Sequence, residues 1–143
     1  VGSVRCVEDT DPEEAKKIVE YAHSHGLKVV CPGFYHGWAD ININTDPVEL
    51  LRYFKYADCV VTDTFHGSVM SIITGRELAV KLRDNSNKLL NLLKEYGLEN
   101  RVIDGSWNLD SIFAKKQDNE YVAKEVIRRR EDSMAYLKEM IEL

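Results

Sequence analysis

The 143-residue chain has only three cysteines, three prolines and two tryptophans, and it has no apolar run approaching the length of a membrane span. Each scarcity excludes something. Cys6, Cys31 and Cys59 are odd in number, show no Cys-x-x-C spacing and sit in or at the end of expected strands, so neither a disulfide framework nor a metal site is expected. They read as small buried side chains of a reducing, cytoplasmic setting. No secretory leader is visible, and the chain starts at Val1 and runs almost at once into Val4-Arg5-Cys6-Val7, as expected of a piece of a longer protein. The formal net charge of −5, with both signs interspersed, argues against a nucleic-acid platform. The one concentrated basic run, Arg128-Arg129-Arg130, lies among Val122, Val126, Met134, Leu137 and Ile141 at helical spacing and reads as a solvated helix face.

What is present is alternation of strand and helix patterns over a length that suits one domain, 1–143. Asp11 as cap, Pro12 and Glu14 open a helix whose Ala15, Ile18, Val19 and Ala22 share a stripe, and Gly26 closes it. Asp46, Pro47 and Glu49 repeat that opening before Leu50, Leu51, Phe54 and Ala57. Asn85 or Ser86 caps a third helix carrying Leu89, Leu92, Leu93 and Tyr96, ended by Gly97, and a terminal helix is expected over about 119–143. Strands are expected at Ser3–Glu8, Leu27–Cys31, Cys59–Asp63, Glu77–Leu82 and Arg101–Asp104, with Ile41-Asn42-Ile43-Asn44 as a short edge strand after the loop holding Tyr35, His36 and Trp38. If that edge strand forms, the run ending at Asp63 is the fourth strand and should lie beside the first, where the winding of an open parallel sheet reverses and ligands bind.

The most informative stretch is Ala57–Gly75. Cys59, Val60 and Val61 suit a strand covered on both faces; Val69, Met70, Ile72 and Ile73 then make a helix apolar nearly all round, stopped by Gly75. Between them lies a polar tip with His66. The free N–H groups near Gly67 and Ser68 and the helix dipole favour a phosphate or carboxylate there, and His66 adds a donor or a cation. Thr64 and Ser68 either cap the helix or touch such a ligand. Asp63 either positions His66 or simply ends the strand. His23 and His25, at a helix C-terminus, need no catalytic explanation.

Thr62-Asp63-Thr64-Phe65-His66-Gly67 resembles the Thr-Asp-Ser-Phe-His-Gly signature of the polysaccharide pyruvyl transferases, preceded by a Pro-x-Glu-x-Leu helix (Pro47, Glu49, Leu51) and an Ala57-Asp58 pair. Asn87–Arg101 is similar to that family's Leu-Leu-x-x-x-Gly-Leu-x-x-Arg segment. The resemblance implies an α/β, Rossmann-like three-layer parallel sheet forming the C-terminal, donor-binding half of a GT-B-like two-domain enzyme, with an N-terminal domain missing. It implies transfer of pyruvate from phosphoenolpyruvate, as co-substrate and without a cofactor, onto a glycan or lipid-linked sugar as a ketal, in the cytoplasm at the inner face of the membrane. His66 would be the catalytic acid or a phosphate ligand; Thr64, Phe65, Gly67, Ser68 and Arg83 would hold the small anionic donor, with Asp63 behind them.

Some members of that family carry an arginine where this chain has Thr64, so either another basic residue replaces it or the donor differs. Lys81, Arg83 and Lys88 are the candidates, Arg83 first because it follows a strand on the crevice side. A GT-B glycosyltransferase half using a nucleotide sugar, or a non-catalytic relative, remain alternatives. The isolated chain is expected to fold but not to turn over.

Overall fold

A computed structural model describes residues 3–6, 10–84 and 86–142, with the side chains of 10–84 and 86–142. The elements run β1 (Ser3–Cys6), α1 (Pro12–Ser24), β2 (Val29–Pro32), β3 (Ile41–Ile43), α2 (Pro47–Tyr56), β4 (Cys59–Thr62), α3 (Phe65–Thr74), β5 (Glu77–Val80), α4 (Asn87–Glu95), a 3-10 turn at Glu99–Arg101, α5 (Leu109–Ala114) and α6 (Asn119–Glu142). Val7, Glu8 and the candidate cap Asn85 lie outside the described residues.

Local chemistry sets the helix starts. The carboxylate of Asp11 accepts the Glu14 N–H, and that of Asp46 accepts those of Val48 and Glu49, with a proline opening each helix. Ser86 precedes α4 without capping it, and its hydroxyl donates instead to the Arg83 carbonyl.

All strand pairings are parallel, in the order β3-β2-β1-β4-β5. The expectation of a single Rossmann-like three-layer sheet, one half of a GT-B-like architecture, is corrected here. The described chain is mostly helical, and its strands are three or four residues long. Two small pairs, β2–β3 and β4–β5, do not bond to each other and meet only through β1, which matches β2 at two positions and β4 at three. Arg101–Asp104, expected as a strand, is a 3-10 turn followed by a lone bridge between Val102 and Val80.

The reason is Arg101, whose side chain is fully buried and turned inward. Its guanidinium donates to the carbonyls of Leu78 (2.7 Å), Ile112 (3.0 Å) and Lys115 (2.6 Å) and to Glu77 (3.0 Å). It thereby serves orphan carbonyls at the end of α5 and part of the outer edge of β5. Gln117 covers more of that edge, accepting from the Leu78 N–H and donating to the Arg76 carbonyl.

Side-chain alternation along β4 and β5 divides the core. Val60, Leu78 and Val80 join Phe54, Ile72, Leu89, Leu93 and Val122, whereas Val61 and Ala79 join Ile18, Ala22, Leu109 and Ile112. Burying each of the larger aliphatic side chains stabilises by about 1.5–3 kcal/mol. The helix α5 has no counterpart among the sequence expectations. On α6 only Val122 is buried, Arg128 pairs with Glu125 and Asp132, and Arg129 pairs with Glu95. No helix among the described residues is long and apolar enough to cross a membrane.

Candidate functional site

Because β1 leads through α1 to β2 on one side while β4 leads through α3 to β5 on the other, the winding reverses between β1 and β4. Their carboxyl ends, the start of α1 and the turn into α3 therefore meet at one place, where open parallel sheets form a crevice.

The turn is rigidly built. Thr64 is the N-cap of α3: its hydroxyl accepts the Gly67 N–H at 3.0 Å and lies 3.2 Å from the Thr62 hydroxyl. Ser68 is fully buried and donates its hydroxyl to the Thr64 carbonyl at 2.9 Å; Ser71 does the same to Gly67 at 2.8 Å. These back-bonds satisfy the hydroxyls on the inner face of α3. Thr64 and Ser68 are thus both tied into the turn itself, and the N–H groups of Gly67 and Ser68, expected to be free for an anion, are taken instead by the Thr64 hydroxyl and, at 3.2 Å, by the Thr64 carbonyl. The helix is not buried all round as its apolar residues suggest, since Ile73 is exposed and Val69 and Met70 are half-buried.

Phe65 and His66 are the first two residues of α3, and their rings meet edge to face at 6.0 Å. His66 is exposed to solvent, between the half-buried Thr64 and Phe65 and the buried Gly67 and Ser68. Lys88, from the first turn of α4, places its ammonium 4.4 Å from the Phe65 ring centroid. A positive charge therefore stands beside the tip although no arginine precedes the histidine, and the cation–π contact offsets the unfavourable dipole of its own helix.

Arg83 is placed differently from Lys88. Glu14 grips it with both oxygens, each at 2.7 Å, and Asp63 accepts from its Nε at 3.0 Å. The two carboxylates are nearly buried while Arg83 is about one-third exposed, and these bonds hold the guanidinium protonated well beyond its ordinary range. Asp63 thus positions Arg83. Glu14 is the residue that sequence reasoning missed: three residues past an Asp cap it looks like a capping-box partner, yet its carboxylate reaches 69 residues along the chain. Lys81 follows β5, donates its N–H to the Thr62 carbonyl and lays its ammonium 5.6 Å from the Trp107 ring centroid.

In the loop before β3, His36 and Trp38 stack at 5.0 Å, and Trp38 walls a cavity of about 390 Å³ with Thr10, Asp11, Pro12 and Val19. His23 pairs with Asp40 and His25 with Asp110. Among the described residues no three His, Cys, Asp or Glu side chains converge as a metal site requires. The arrangement sets an exposed imidazole and an ammonium against the Phe65 ring at the start of α3, while the Arg83 guanidinium is spent on two carboxylates.

Residues 6–85, more than half of the chain, match the family described as polysaccharide pyruvyl transferase. No curated protein matches the chain. The family match corrects one expectation: it occupies the N-terminal portion of this chain, not a C-terminal half, and it runs from residue 6 while leaving Asn87–Arg101 outside. The part of that later segment most like a signature, Arg101, is occupied by buried carbonyls and serves the packing of α5. With the His66 tip inside the matched span, the chain belongs to the polysaccharide pyruvyl transferase family.

Proposed function

We propose that the α3 turn binds phosphoenolpyruvate and that His66 takes part in transferring its pyruvyl unit to a glycan as a ketal. The observation that carries this reading is the exposed imidazole of His66 in the first turn of α3, with Lys88 over the neighbouring Phe65 ring. In the reaction two sugar hydroxyl oxygens bond to the central carbon, the methylene carbon gains a proton and becomes methyl, and phosphate leaves with the second hydroxyl proton. Such a site needs fixed donors for two anionic groups and one proton source.

On this reading His66 supplies the proton or holds the phosphate, Lys88 balances donor charge, and Gly67, with no side chain, lets the donor approach the first turn of α3. Arg83, held in one orientation by Glu14 and Asp63, braces the turn behind the donor. Thr64 and Ser68 build the turn, and Phe65 seats Lys88. The 143 residues act as one folding unit, and the acceptor's reacting hydroxyls are enclosed by groups beyond the α3 turn.

The test is ligand-dependent stabilisation. Phosphoenolpyruvate at about one hundred times its Kd should stabilise the chain by about 2.7 kcal/mol, and nucleotide sugars should leave the melting temperature unchanged. Stabilisation by nucleotide sugars alone would favour a glycosyltransferase, and no response to phosphoenolpyruvate would overturn the reading. His66→Ala then separates the roles. A charge-assisted bond to phosphate predicts donor affinity about ten- to a hundredfold weaker, whereas a proton donor predicts unchanged affinity and a depressed maximal rate.

A further inference from the structure

On the side of the sheet that carries α1 and α5, a cavity of about 440 Å³ opens between α1 and the turn leading into α5. Tyr21 and Ser24 line it from α1, and Ser106, Trp107, Asn108 and Asp110 line it from the turn. It shares no lining residue with the α3 turn. It is nevertheless tied to the same end of the sheet, because Lys81, whose N–H bonds to the last residue of β4, stands over the Trp107 ring.

Trp107 is held unusually. It is the one non-glycine residue among those described with a positive φ, 53°, a region that bulky side chains rarely enter. The turn enforces it: the Trp107 N–H donates to Asp104, and its carbonyl accepts from Leu109. Asn108 spends its amide oxygen on the Ser111 N–H, which leaves its NH2 group as a donor, and Asp110 lies 3.3 Å from His25. An aromatic wall fixed by backbone geometry is thus ringed by the Asn108 amide, the Asp110 carboxylate and the Ser106 hydroxyl, which donates to Asp104 and so offers a ligand its oxygen as an acceptor. Charges of both signs border it, so no single-sign field suits a phosphate.

We propose that this cavity binds one pyranose ring of the acceptor glycan, with the ring's C–H face against Trp107 and its hydroxyls on Ser106, Asn108 and Asp110. The volume falls in the range of small-molecule sites, and an apolar wall with a few convergent polar groups matches a ligand that is apolar on its faces and polar around its rim. The assignment of the sugar as acceptor rests on the proposed pyruvyl transfer; binding of a pyranose does not.

Amide and indole NMR shifts of the 15N-labelled chain test this, since its two tryptophans give separate indole signals. Methyl β-D-glucopyranoside, β-D-galactopyranoside and α-D-mannopyranoside are titrated to about 50 mM, which reaches millimolar Kd values. At least one should move the Trp107 indole and the Ser106–Asp110 amides, leaving Trp38 and Gly67 in place. Trp107→Gly suits the positive φ and removes the ring, and should weaken binding at least tenfold. Asn108→Asp keeps the α5 cap but loses the NH2 donor, and should weaken it several-fold. No shift with any glycoside, shifts with uridine only, or full affinity in Trp107→Gly would overturn the proposal. A parallel phosphoenolpyruvate titration read at Gly67 keeps the two readings apart: a response there without one at Trp107 sinks the sugar site alone, and the converse sinks the donor site alone.

Discussion

Glu14 and Arg83, 69 residues apart in sequence, are joined by two parallel hydrogen bonds of 2.7 Å each, with Asp63 accepting on a third edge of the guanidinium. This clamp ties the first turn of α1 to the segments that follow β4 and β5, across the point where the sheet winding reverses. Removing one partner leaves a nearly buried charge. Breaking a buried pair costs roughly 3–5 kcal/mol, but Arg83 is about one-third exposed and keeps Asp63, so Glu14→Ala should cost about 1–3 kcal/mol. Urea denaturation of Glu14→Ala, Asp63→Ala and the double variant checks this, and strict additivity would show that the carboxylates do not act through one guanidinium.

Arg101 should be among the least replaceable residues. With a fully buried side chain on three carbonyls and Glu77, it has no water to fall back on. Arg101→Lys retains charge but loses the fork geometry, and should cost about 2–4 kcal/mol in chemical denaturation; Arg101→Ala should cost more. A loss below about 0.5 kcal/mol for Arg101→Lys would mean the carbonyls find other donors.

The Cys59 thiol, buried against β5, is pushed up from 9.0 to about 12 by desolvation first and by Asp58 and Glu77 next. A folded-state value raised above the unfolded one means that the neutral form's stability is complete below about 9 and is lost as pH rises towards about 12. Tyr21, raised to about 12 chiefly by burial, weakens the fold in the same alkaline window. In neutral buffer, reaction of Cys59 with a disulfide reagent should follow global unfolding. Rapid labelling of Cys59 in the native chain contradicts this.

Asp40 titrates in the opposite sense. The Val29 N–H at 2.7 Å, followed by His23, holds its carboxyl below the ordinary 3.8. The stability it contributes is present above that ordinary value and disappears as pH falls through the lower folded one. The difference in melting temperature between wild type and Asp40→Asn should therefore be largest near neutrality and shrink in acid. A gap that stays constant throughout the acid range refutes the assignment.

Thr64→Ala removes the hydroxyl that accepts the Gly67 N–H, and should cost about 1 kcal/mol, whereas Thr64→Ser should change stability little because serine caps as well. Thermal melts of the three proteins decide it. Equal losses for both variants would place the stabilisation in the methyl group instead.

The sequence by itself determined what depends on neighbours a few residues apart. Asp11-Pro12 and Asp46-Pro47 mark helix starts because capping acts over three residues, and Cys59-Val60-Val61 marks a buried strand because three consecutive apolar side chains suit a strand covered on both faces. The tip with His66 was legible for the same reason, as a polar break between two apolar elements. Tertiary structure decided the rest. Nothing local tells Glu14 to leave its own helix for Arg83, places Lys88 over Phe65, or turns Arg101 from a strand into a buried bracket. The short helix α5 escaped because six residues give barely one repeat of the apolar period, although Asn108, Leu109 and Ile112 carry its cap and inner face. The size of the sheet escaped too, since apolar runs reveal that strands exist but not how many bonds join them, and here two pairs depend on β1 to become neighbours. Contacts between distant segments form only when the whole chain closes, so their energies leave no periodic mark on the sequence.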